Sequence, residues 1–87
     1  MHEASLLKGL IRKIEQVAEE SRAQKVTQVK VSLGALSHFS EEHFREHFEI
    51  SSKGTVAEGA RLCITLMTDP QAPDAQGVLL ETVEVAE

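Results

Sequence analysis

The sequence predicts an α/β domain of the α+β type. It should have two layers, with two helices packed on a small mixed three-stranded sheet, in the order helix, strand, helix, strand, strand. Three observations carry this. Apolar residues recur at helical spacing through the first twenty positions, three later stretches alternate apolar with polar residues, and a well-capped helix start separates the first of those stretches from the second. With 87 residues, 41% hydrophobic and 26% charged, residues 1–87 read as one small globular domain.

From Leu6 the first stripe runs through Leu7, Leu10, Ile11, Ile14, Val17 and Ala18, with Lys8, Arg12, Lys13, Glu15, Gln16 and Glu19 on the other side. A helix from about Glu3 to Ala23 follows, roughly 30 Å long. Gly9 lies on its polar side and weakens it by about 1 kcal/mol relative to alanine. Val26 to Gly34 reads as a strand with Val29, Val31 and Leu33 on its buried face. Ser40 is a natural N-cap, Glu41 and Glu42 complement the positive end of the helix dipole, and Phe39 with Phe44 occupy the positions of a hydrophobic staple. That second helix runs to about Ser51 and is expected to bury Phe44, Phe48 and Ile50. All three phenylalanines fall here, so its contact with the sheet should be the densest part of the core.

Gly54 and Gly59 flank a turn. Arg61 to Thr68 then alternates, with Leu62, Ile64 and Leu66 on one face and Cys63, Thr65 and Met67 on the other. Residues 69–77 hold both prolines and two aspartates and read as a surface loop. Val78 to Val85 is the last strand, with Leu79, Val83 and Val85 in phase. The shortness of the loop predicts that the last two strands pair as an antiparallel hairpin.

Composition narrows the function. Net charge is −5, with nine basic residues scattered among fourteen acidic ones, which disfavours nucleic acid as a partner. No apolar run approaches the roughly 18 residues of a membrane span. The N-terminus carries Glu3 and lacks a signal-peptide core, so a cytoplasmic location is expected. A single cysteine, Cys63, excludes a disulfide framework and a zinc site of paired CxxC motifs, and its mid-strand position suggests an inert thiol. Neither a phosphate-binding loop nor a nucleophile elbow occurs: Gly54 and Gly59 lack the downstream Lys-Ser/Thr, and Ser37 and Ser40 lack the elbow's context.

Four histidines, His2, His38, His43 and His47, are the conspicuous chemical resource. His43-Phe44-Arg45-Glu46-His47 spells H-x-x-E-H, the pattern that puts two imidazoles one helical turn apart with a carboxylate beside them. A protease also needs a third ligand and a cleft. The expected reading is an outward-facing pair that can pick up zinc adventitiously, with a small zinc hydrolase through His43, Glu46 and His47 as a weaker alternative. Met1-His2-Glu3 offers another donor set. A free α-amine, the deprotonated amide of residue 2 and its imidazole can wrap one metal in fused chelate rings. Such a nitrogen-rich tetragonal set suits Ni(II) or Cu(II). Spacing alone leaves this open, and from residue chemistry alone the chain reads as a binding module.

Five segments, in order, carry a family resemblance. They are Met1-His2-Glu3-Ala4-Ser5-Leu6, Val31-Ser32-Leu33-Gly34-Ala35-Leu36-Ser37, Phe48-Glu49-Ile50, residues 54–64, and Leu79-Leu80-Glu81-Thr82-Val83-Glu84-Val85. Together they resemble the HypA/HybF family of hydrogenase and urease nickel-insertion accessory proteins. The resemblance implies the same mixed sheet with two helices. It also implies nickel ligands at Met1 through its amine, His2 through its imidazole and backbone amide, and Glu3 through its backbone amide or carboxylate.

The activity so implied is that of a metallochaperone rather than an enzyme, holding Ni(II) for hydrogenase maturation. The implied partners are a nickel-loading GTPase and a hydrogenase large-subunit precursor. Binding should weaken as pH falls through about 6.5, because imidazole and amides must lose protons. In one respect the chain departs from the family, which inserts a zinc domain with two CxxC pairs between the last two strands. Here the short loop 69–77 stands in its place, and no structural zinc is expected. The alternative is a protein-interaction adaptor built on the same scaffold, without metal delivery.

Overall fold

The first helix, α1, spans Glu3–Glu20, and its apolar stripe is the buried one: Leu7, Leu10, Ile11, Ile14 and Ala18 all join the core. The computed structural model describes residues 3–37, 40–71 and 77–86, with backbone alone at residues 3 and 4. The helix stops three residues short of the predicted Ala23, and its C-terminal hydrogen bonds show why. Ala23 N–H donates to the Ala18 carbonyl at 2.9 Å and Arg22 N–H to the Glu19 carbonyl at 3.0 Å, the paired bonds of a Schellman motif. Arg22 sits at φ 55°, the left-handed position that glycine usually fills. Arg22→Gly is therefore expected to stabilise the domain by about 0.5–1 kcal/mol, the relief of left-handed strain exceeding glycine's entropic cost. Urea denaturation of the two proteins checks this.

The strands are β1 (Lys25–Leu33), β2 (Arg61–Leu66) and β3 (Val78–Ala86), and the second helix, α2, spans Glu41–Ser52. The sheet is mixed, in the order β2-β1-β3. β1 pairs parallel with β2 and antiparallel with β3. The expected hairpin between the last two strands is thus wrong: β1 lies between them. Val26, Val29, Val31 and Leu33, each at most 1% exposed, make β1 the most deeply buried strand, as its central position requires. Leu66 and Val78, at the facing ends of β2 and β3, accordingly lie on opposite edges of β1, two strand spacings or about 10 Å apart. The residues beside them are fixed there, since Met67 N–H donates to the Leu33 carbonyl and Gly34 N–H to the Gly77 carbonyl, each at 2.8 Å.

Two β-bulges set which residues face the core. On β1, Val26 pairs with Val85 and Gln28 with Glu84, so Thr27 is the extra residue. Val26 and Val29, three apart, can then both be fully buried. On β3, Lys30 pairs with Thr82 and Val31 with Leu80, leaving Glu81 as the extra residue. The phase of β3 reverses across it. Val78, Leu80, Val83 and Val85 pack on the core, while Leu79, expected in phase with Val83, is turned outward at 36% exposure. Glu81 then accepts a 3.3 Å hydrogen bond from the hydroxyl of buried Ser32.

Both helices cover the same sheet face, α1 over β1 and β3, and α2 against α1 and β2. α2 starts as predicted: Ser40 is the N-cap, its side chain accepting from the His43 N–H at 3.1 Å. Phe39, the other half of the predicted staple, lies outside the described residues. Ser40→Ala should cost about 1 kcal/mol, measurable as a lower thermal midpoint. Phe44 and Phe48 are buried, but Ile50 is 62% exposed, against expectation. It stands two residues past Phe48, about 200° around the helix, and Ser52 and Ala57 fill the inner side instead. Arg45 ties α2 to β2, its guanidinium donating to the Leu62 carbonyl at 2.7 Å.

Candidate metal centre

The topology brings the starts of both helices to one end of the domain. A short turn, residues 21–24, joins α1 to β1, so the helix runs back along the strand and its first residues lie by the strand's last ones. α2 begins at Glu41, a few residues after β1 ends at Leu33. The starts of α1 and α2, the end of β2 and the start of β3 therefore share the end of the molecule where β1 finishes.

Met1, His2 and His38 lie outside the described residues, so the predicted donors there have no described geometry. Glu3 is described by its backbone, as the first residue of α1. This position suits a metal-bound amide. The first N–H groups of a helix have no intrahelical acceptor, so replacing the Glu3 proton with a metal breaks no helical hydrogen bond. The arrangement leaves no linker between the Met1-His2 pair and an ordered helix.

His43 and His47 are brought together. Their Nε2 atoms are 3.0 Å apart and their rings meet edge to face at 75°, with centroids 4.6 Å apart. His43 is exposed and His47 half-buried, as the neighbouring buried Phe44 and Phe48 require. Among the described residues no group of three or more His, Cys, Asp or Glu side chains forms a metal site, so Glu46 does not complete a zinc hydrolase centre with the pair. Cys63 is a free thiol, half-buried rather than buried, opposite Lys30 in the sheet register. A feature that sequence reasoning did not find is an open groove between α1 and the end of α2, lined by Lys8, Ile11, Arg12, Glu15, Ser51 and Thr55. Its residues belong to two elements distant in sequence, and no motif marks it. Among the described residues no helix is long and apolar enough to cross a membrane.

The fold defines a small two-layer α+β domain, with one described pair of imidazoles, His43 and His47, on α2. The chain belongs to the HypA family, whose model, "Hydrogenase/urease nickel incorporation, metallochaperone, hypA", matches residues 1–71. It is 42% identical over 66 residues to the hydrogenase maturation factor HypA of Archaeoglobus fulgidus, covering 76% of this chain and 60% of that protein. It is 41% identical over 64 residues to the hydrogenase maturation factor HybF of Salmonella typhimurium, covering 74% and 57%. The chain thus spans about three fifths of the length of these curated relatives. The solution structure of the Ni metallochaperone HypA from Helicobacter pylori has the same fold, with a TM-score of 0.80 at 23% identity, covering 98% of this chain and 97% of that one.

Proposed function

We propose that this domain is a nickel metallochaperone that holds one Ni(II) at its N-terminus and passes it on for hydrogenase maturation. The ligands are the amine of Met1, the imidazole and amide nitrogen of His2, and the amide or carboxylate of Glu3. The observation that carries this reading is the start of α1 at Glu3. Met1 and His2 immediately precede that helix in sequence, and the Glu3 amide has no intrahelical acceptor. Membership of the nickel-incorporation family supplies the metal and the purpose.

A site built on a chain terminus leaves one side of the coordination plane open. Transfer is then ligand exchange, in which stronger thiolate donors of the acceptor displace nitrogen and oxygen donors one at a time. The chain catalyses no covalent step. Its acceptor is a hydrogenase large-subunit precursor, reached with a nickel-loading GTPase, and the location is cytoplasmic. On this reading residues 69–77 stand in the sequence where the family has its zinc module, and nickel delivery uses no structural zinc.

The test is complementation of a cell that lacks its own nickel-insertion factor, grown at limiting nickel. The wild-type chain should restore hydrogenase activity and His2→Ala should not, although both accumulate as folded protein. Equal restoration by both would instead favour an adaptor role on the same scaffold.

A further inference from the structure

The contact between His43 and His47 poses a chemical question of its own. Two imidazole Nε2 atoms 3.0 Å apart cannot both present bare lone pairs to each other without repulsion. What stands between them is a proton, donated by the Nε2–H of one ring to the other, or a metal ion bound to both. The centroids, 4.6 Å apart, are closer than a head-on contact of this length would place them, so the rings approach obliquely. Metal–nitrogen bonds of about 2.05 Å span 3.0 Å at an angle of about 95°. This is close to the cis angle of square-planar and octahedral ions and well below a tetrahedral one.

The surroundings favour a dication. Arg45, the one cation between the two histidines in sequence, is drawn away by the Leu62 carbonyl at 2.7 Å and by Glu41 at 3.5 Å. Glu42, Glu46 and Glu49 are exposed on the same helix and add negative charge. The spacing of four residues is held by α2 itself, with the Ser40 cap at its start and Phe44 and Phe48 anchoring its inner side. The two nitrogens therefore need little ordering on binding.

We propose that His43 and His47 form a second metal site, separate from the N-terminal one, which chelates a divalent ion of the nickel and copper class through both Nε2 atoms. With two protein ligands it leaves its other positions to water or to the donors of a second protein. It lies on a helix that starts at the same end of the domain as α1.

The test isolates this pair from the N-terminus. Ni(II) is titrated into the His2→Ala protein, followed by calorimetry and by the NMR signals of the imidazoles. One equivalent should bind, with the resonances of His43 and His47 shifted or broadened first. Adding His43→Ala or His47→Ala should weaken binding at least tenfold, either alone nearly as much as both together, because a chelate is lost with its first arm. Circular dichroism should show the same helix content in every variant, since the changes fall on the outer side of α2. No binding to the His2→Ala protein, or affinity unchanged by His43→Ala and His47→Ala, would overturn the proposal and leave a proton-sharing pair. The N-terminal reading stands or falls separately, on the difference between wild type and His2→Ala.

Discussion

Phe44→Ala is expected to destabilise the domain by about 3–5 kcal/mol, the cost of emptying a fully buried phenylalanine site. Phe44 is 0% exposed and, with Phe48, is among the largest fully buried side chains of the protein. α2 bridges α1 and β2, so a cavity beneath it loosens two contacts of the core at once. A chain of 87 residues has roughly 4–13 kcal/mol of stability in total. The variant should therefore be largely unfolded at a temperature where the wild type is intact. A fall in thermal midpoint of about 15–30 °C is the expected reading. Ile50→Ser, on the exposed side of the same helix, serves as the contrast and should lie within about 0.5 kcal/mol of wild type.

The same helix shows how much of the fold the sequence reveals. The stripe of α1, the cap at Ser40 and the alternation of β1 are local patterns, and each element appears within a few residues of its expected position. Strand order is not local. Nothing in Arg61 to Leu66 says that its partner is β1 rather than β3, and the short loop argued for the wrong neighbour. The central place of β1 is set by long-range pairing on both its edges, parallel to β2 and antiparallel to β3. The bulges at Thr27 and Glu81 were equally hidden. A two-residue period read through an extra residue puts Leu79 on the wrong face. Ile50 was misplaced by hydrophobicity taken without angle.

The metal chemistry was legible to a different degree. Met1-His2-Glu3 can be recognised by spelling and donor type, and the structure adds that α1 begins at its third residue. In the sequence His43 and His47 are merely one turn apart. That their nitrogens come within 3.0 Å depends on rotamers that no spacing reveals. The displacement of Arg45 toward Leu62 depends on where β2 lies. Both are consequences of packing and become visible only with the fold.

Loss of the N-terminal site should be the larger functional effect, and it calls for no change in the core. Extending the chain by one residue before Met1 turns the amine into an amide and moves the terminal charge away from His2. His2→Ala removes the imidazole and leaves the amine. Each breaks a fused set of chelate rings, so either change alone should abolish the site. The imidazole and amides must be deprotonated to bind, so occupancy should fall as pH drops through about 6.5, the ordinary range of histidine.

The most direct measurement is a calorimetric Ni(II) titration at neutral pH of the protein with an authentic Met1. The His2→Ala and one-residue-extended forms are titrated beside it, all carrying His47→Ala so that the α2 pair does not contribute. The account predicts one equivalent bound by the authentic protein and none by the other two. Binding of equal strength in all three would contradict it, because the metal would then be held without the terminal amine and without His2.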